Sequence, residues 1–273
     1  LNLIRVMPVE EDVMWKSLLA LMCGIASASG FAAPGPMPAP PVSELVIYTY
    51  DSLVAKGGLG PAIFPLFEKK CGCRIKALAS GDGGQLVSRL QLDAERGRPS
   101  ADGVLGLDQI TFQRAKLWLS SWKLGKAGKL GKAPLRGLDH LVPEAATSSD
   151  IFVPFDYGVF AFMADRESLK AAGLGEPKSL EQLKSPEWKR NLILEDPRTS
   201  TPGLAFLLYA NAVGGSDFWR GFRTQWLTLA PGWDAAYSLF LKKEAPLVWS
   251  YASSQAYHEE HGDSVGEGRR YRA

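Results

Sequence analysis

The sequence predicts an α/β chain of two lobes, each built on a mostly parallel sheet. Three observations carry this reading. From residue 43 onward, short β-rich runs alternate with runs whose apolar residues recur at helical spacing. An apolar run at residues 151–164 divides this series in two. A chain of 273 residues with 46% hydrophobic and 22% charged content is long enough for two cores. In such a fold, ligands bind where strand carboxyl ends meet helix amino ends.

The elements follow in order. Residues 43–50 are β-rich through Leu45, Val46, Ile47 and Tyr48, and Gly57-Gly58-Leu59-Gly60-Pro61 introduces a helix carrying Ala62, Phe64, Leu66 and Phe67. Residues 74–79 form a second strand. Ser80-Gly81-Asp82-Gly83-Gly84 then opens a helix with Leu86, Val87, Leu90 and Leu92 on one face, and residues 101–105 form a third strand. Strand-to-helix junctions therefore fall at Tyr50, Asp82 and Asp108. Residues 123–136 are Gly-rich and basic without periodicity and read as a solvated surface loop. His140 reads as a surface or packing histidine, because no Cys or His partner sits at metal spacing. The run 151–164 is long enough for two consecutive strands and marks the crossing into the second lobe. That lobe reads as helices at 167–172 and 179–183, a strand at 191–194, helices at 202–213, 218–227 and 234–241, and a strand at 247–251. Trp219 and Trp226, at helical spacing, are assigned to the core.

Before the first lobe, Met14-Trp15-Lys16 leads into an apolar run at 18–28, followed by small residues and a Pro-rich stretch. This is the pattern of a secretory signal peptide, too short for a stable membrane span. The expected organisation is an upstream segment (1–13), a signal peptide (14–33), a Pro-rich linker (34–43), a first lobe (44–150) and a second lobe (151–273). Export leaves Cys71 and Cys73 in the mature chain. An oxidising compartment favours pairing them, two free thiols being the alternative. The net charge of +2 gives no reason to expect nucleic acid or an anionic membrane as partner.

The densest chemistry lies at residues 195–203, Glu-Asp-Pro-Arg-Thr-Ser-Thr-Pro-Gly, which join a strand to a helix. Hydroxyl caps, a first-turn Pro and free N–H groups at the positive end of the helix dipole make an anion site, although an ordinary capped connection uses the same residues. Tyr50, Trp233, Tyr251 and Tyr257 all fall at element ends, where rings line ligand mouths and, with nearby carboxylates, suit an organic cation. No Gly-x-Ser-x-Gly elbow, His-Glu-x-x-His or P-loop is present. An exported two-lobed chain without catalytic machinery is expected to be a solute-binding protein.

Several motifs in one order carry a resemblance: Tyr48-Thr49-Tyr50-Asp51-Ser52, Cys71-Gly72-Cys73, residues 103–108, residues 152–158, residues 196–203, Gly232-Trp233, and Ser250-Tyr251 through Tyr257-His258. From about residue 44 to about residue 258 the chain resembles the thiamine-binding periplasmic proteins of thiamine ABC importers. The resemblance implies a type II periplasmic binding fold that closes on thiamine, thiamine monophosphate or thiamine diphosphate, with no cofactor. It also implies a monomer in the periplasm that delivers to a permease and its ATPase. Carried over by position, Tyr50, Trp233, Tyr251 and Tyr257 would contact the rings, and Asp82, Gly83, Ser200 and Thr201 would meet the phosphate end. Gly57 stands where the family has an aromatic residue. The sequence starts without Met and stops roughly a hundred residues short of an ordinary two-lobed binder of this type, so a C-terminally truncated chain is expected. The alternatives are a ferric-ion binder of the same fold, with Tyr251 and Tyr257 as ligands, and a thiamine-processing enzyme.

Overall fold

The computed structural model describes residues 4–6, 43–121, 124–125, 129–130, 133–134, 151–262 and 270–273. The expected signal peptide, the Pro-rich linker up to residue 42 and His140 lie outside the described residues.

In the first lobe, strands β1 (Ile4–Val6), β2 (Glu44–Thr49), β3 (Arg74–Ala79), β4 (Gly103–Leu105) and β5 (Leu119–Ser120) form one sheet in the order β3-β2-β4-β1-β5. β2 runs parallel to β3 and β4, as the alternation of strands and helices requires. β1 comes from the segment expected to lie upstream of the folded lobe, and pairs antiparallel with β4 and β5. The helices are α1 (Asp51–Val54), α2 (Gly60–Cys71), α3 (Gly83–Glu95) and α4 (Gln109–Ala115). Tyr48, Val104, Leu86, Val87, Leu90 and Phe112 fill one face of the sheet, while Ile47, Leu53 and Leu105 fill the other. Where Tyr48 enters the core, its hydroxyl donates to buried Asp93 at 2.5 Å and accepts from Arg89 Nε at 3.1 Å. α2 ends on Gly72 at φ 66, a left-handed cap that Gly adopts without steric cost. Cys71 and Cys73 form a disulfide across that cap.

The second lobe repeats the plan. β9 (Phe160–Asp165), β10 (Leu192–Glu195), β11 (Trp226–Ala230), β12 (Leu247–Tyr251) and β13 (Tyr271–Arg272) are ordered β11-β10-β12-β9-β13. β10 is parallel to β11 and β12, and β9 is antiparallel to β12 and β13. With them come α5 (Arg166–Ala171), α6 (Thr201–Phe222), α7 (Trp233–Leu241) and α8 (Ser253–Glu260). Leu194, Phe206, Phe218, Phe222 and Trp249 pack on the α6 side; Met163, Ile193, Tyr237, Phe240 and Val248 pack on the α7 side. The edge strand is tied in by Arg270, whose Nε and Nη2 donate to the two Asp165 oxygens at 3.0 and 2.8 Å.

The structure corrects several expectations. The run 151–164 contains one strand, β9, rather than two. Residues 151–159 cross without a sheet partner; Pro154 has no N–H to offer a ladder, and Phe152 and Phe155 pack on the first lobe instead. The two helices expected at 202–213 and 218–227 are both present as the halves of α6, separated by a non-helical break at Gly215 (φ 62), but the second ends at Phe222, and Trp226 opens β11 instead of ending a helix. Trp219 and Trp226 are only partly buried against the α6-side core. The helix expected at 179–183 is replaced by 3-10 turns at Gln182–Lys184 and Pro186–Trp188. Within the expected loop 123–136, the strands β6 (Leu124–Gly125), β7 (Lys129–Leu130) and β8 (Ala133–Pro134) pair antiparallel.

Candidate ligand-binding cleft

Each lobe sends the amino ends of helices toward the other. Asp82 caps α3: its Oδ1 accepts from Gly83 N at 2.6 Å, and its own N–H donates to Gln85 Oε1 at 2.9 Å, closing a capping box. The other oxygen reaches the second lobe. Asp82 Oδ2 accepts from Ser200 Oγ at 2.8 Å and from Trp233 N at 3.3 Å, where α6 and α7 begin. Alongside it Asp108 caps α4 through Ile110 N and Thr111 N, and its Oδ2 accepts from Thr201 Oγ1 at 2.6 Å.

Such close approach depends on glycine. A Cβ at Gly83 would meet Thr201 Oγ1 at 2.2 Å, and one at Gly84 would meet Arg198 O and Thr199 Cα at 2.7 Å. Ser200 is buried and caps α6 by accepting from Gly203 N at 3.4 Å. The helix amino ends thus already face a carboxylate of this chain at the place where the sequence led us to expect a phosphate.

Aromatic rings stand beside this junction. Trp233 stacks on Tyr237 at 4.9 Å and donates from Nε1 to Ser250 Oγ at 2.9 Å, which fixes the indole plane. Tyr251 lies edge-on to Trp233 at 6.3 Å, against Phe160 at 4.8 Å, with its ring directly over Gly158. Tyr50 lies over Gly106, where a Cβ would meet its ring at 2.1 Å. Tyr257 stands apart: it is 48% exposed, stacked on His261 at 4.1 Å and edge-on to His258. Of the expected site residues, Asp82, Gly83, Ser200, Thr201, Trp233 and Tyr251 are brought together, Tyr50 joins them within electrostatic range, and Tyr257 does not join their contacts.

The surroundings are acidic. Burial first, then the charges of Asp156 and Asp82, push the Tyr50 hydroxyl up to about 12. Burial and then Asp82, Asp108 and Glu195 push Tyr251 well above its ordinary value, so both rings are neutral phenols. Burial likewise raises Asp156. Glu195, at the end of β10, is 1% exposed, and neither of its carboxyl oxygens has a hydrogen-bond partner among the described residues. Burial, then the Asp82 charge, raises it well above the carboxylate range. Sequence reasoning placed Asp108 at a junction and Glu195 at the head of the 195–203 motif without giving either a role. Among the described residues, no group of three or more His, Cys, Asp or Glu side chains could hold a metal ion. A groove of about 600 Å³ on the α6 side of the second sheet, lined by Phe160, Phe162, Tyr209 and Trp249, lies away from this junction.

Comparison with known proteins agrees with this architecture. Residues 135–260 match the family described as bacterial extracellular solute-binding protein. The thiamine-binding periplasmic protein of Salmonella typhimurium is 41% identical over 248 residues, which is 90% of this chain and 68% of that protein. The chain belongs to the thiamine-binding periplasmic protein family. The Escherichia coli member is 40% identical over 217 residues, 78% of this chain and 62% of its own length. A solved periplasmic thiamin binding protein superposes with a TM-score of 0.71 at 35% identity, over 88% of this chain and 70% of that structure. The chain therefore spans about two thirds of these relatives. In family terms it has the two-lobed α/β fold of periplasmic solute-binding proteins, and the Asp82–Ser200 junction lies where the two lobes face each other.

Proposed function

We propose that this chain is the thiamine-capturing component of a periplasmic importer: it binds thiamine, thiamine monophosphate or thiamine diphosphate between its lobes and presents it to an ABC permease with its ATPase. The observation that carries the reading is the interlobe junction, in which Asp82 of one lobe meets Ser200 and Trp233 of the other beside Tyr50 and Tyr251. The thiazolium ring carries a fixed positive charge. Neutral aromatic faces among Asp82, Asp108 and Asp156 favour such a cation. Phosphate-bearing forms would use the Ser200 and Thr201 hydroxyls and the amino ends of α3 and α6, with Asp82 displaced. As a carrier, the chain binds and releases its ligand unchanged.

Titration calorimetry of the full-length protein with the three thiamine forms tests this directly. Saturable one-to-one binding, micromolar or tighter, with quenching of tryptophan fluorescence on stacking against Trp233, is expected for at least one form. No heat and no quenching with any of them would refute the reading. The ferric-ion alternative is met by the same sample: a visible tyrosinate-to-iron band on adding ferric ion, in place of thiamine binding, would establish it.

A further inference from the structure

A buried carboxyl group with no hydrogen-bond partner is costly, and folded proteins retain few of them. Glu195 is such a group, and it does not lie in an apolar core remote from function. It is the last residue of β10, at the carboxyl edge of the second sheet, one residue before the turn that leads to Ser200 and α6. It shares a strand face with Ile193, the face that packs toward α7 and Trp233. Its carboxyl lies within electrostatic range of Asp82 and Tyr251, both of which border the cleft. Among the described residues, the charged and titratable groups that act on this part of the cleft are Asp82, Asp108, Asp156, Tyr50 and Tyr251, none of them a cation.

We propose that Glu195 is a ligand-recognition residue, presenting its two carboxyl oxygens to the aminopyrimidine edge of thiamine. The inference rests on the thiamine reading above. In its neutral form a carboxylic acid has one O–H donor and one acceptor oxygen side by side. The aminopyrimidine edge has the matching pair, an exocyclic amine that donates next to a ring nitrogen that accepts. Two parallel hydrogen bonds would satisfy both Glu195 oxygens without bringing another charge among the cleft's carboxylates. Trp233, held by its hydrogen bond to Ser250, supplies a flat wall on the same side.

The test compares thiamine with its analogue in which the pyrimidine amine is replaced by hydrogen, using the wild-type chain, E195Q and E195M. A site built to pair with an N–H group rejects the analogue that lacks it. Wild type is expected to prefer thiamine by about tenfold or more, E195Q to keep most of that preference because its amide still offers a donor and an acceptor, and E195M to reduce it to about twofold. E195M should also melt at a higher temperature than wild type before any ligand is added, because it removes an unpaired buried polar group. Undiminished discrimination by E195M overturns the proposal, as does a melting temperature that falls together with unaltered affinity, the mark of a purely structural acid. If wild type binds neither compound, the thiamine reading fails and takes this proposal with it.

Discussion

Single side chains set the chemistry of this cleft, and Glu195 shows how. A carboxyl whose pKa is raised on folding stabilises the protein below its unfolded value, and that contribution is lost as the pH rises. Between the ordinary glutamate value and the raised one, the folded chain holds a proton that the unfolded chain has released. Stability of wild type relative to E195Q is therefore expected to fall from about pH 4.5 upward, by up to about 1.4 kcal/mol per pH unit, in urea unfolding followed across that range. Parallel pH profiles for the two proteins would contradict the raised value. In the first lobe, Tyr48→Phe leaves Asp93 with a lost donor in a buried site, and a loss of about 1–3 kcal/mol in the same assay is expected. Such roles were unevenly legible. Asp82 and Ser200 stood out because capping residues at strand-to-helix junctions advertise helix amino ends. The pairing of Asp108 with Thr201 did not, since the two are distant in sequence and only the meeting of the lobes joins them.

At the scale of elements, α3 and α6 touch end to end, and this contact is built from residues without side-chain bulk. Gly84→Ala would drive a methyl group into the backbone of Arg198 and Thr199, atoms of the opposite lobe that no rotamer change can move aside. The expected outcome is weakened ligand binding with a faster dissociation rate and little change in melting temperature, read by stopped-flow fluorescence alongside thermal unfolding. A large drop in melting temperature with unchanged dissociation would show that the contact stabilises a lobe rather than the approach of two lobes. Strand β3 and the helix behind Asp82 were readable to within a residue or so, because periodicity and caps agreed there. Trp226 misled because tryptophan spacing at 219 and 226 mimics a helical stripe, whereas the chain leaves α6 after Phe222 and pairs with β10. The crossing at 151–159 misled for another reason: Ile151, Phe152 and Phe155 are partly buried by packing on the first lobe while Tyr157 and Val159 stay exposed, and an apolar run that packs without a ladder looks like a strand in sequence.

For the molecule as a whole, the parallel α/β plan of both lobes was legible from the alternation of elements, while the antiparallel β1 and β13 were not, since two or three paired residues leave no pattern to read. β13 depends on Asp165, whose carboxyl burial alone would raise; its bonds to Arg270 and Ser168 hold it below its ordinary value. That stability is present above the unfolded pKa and lost as the pH falls through the folded one. Asp165→Asn is expected to cost about 3 kcal/mol near neutrality, with the difference from wild type shrinking in acid; a difference that does not change with pH would remove the ion pair as its cause. The Asp82 carboxylate has the widest reach, because it belongs to one lobe and is bonded by groups of the other. The protein carries its own anion at the seat where a ligand's anion would go. If phosphorylated thiamine binds as proposed, its measured affinity would be an exchange constant, the difference between seating the guest and unseating the resident, whereas a purely cationic ligand would leave the resident in place and gain from its charge.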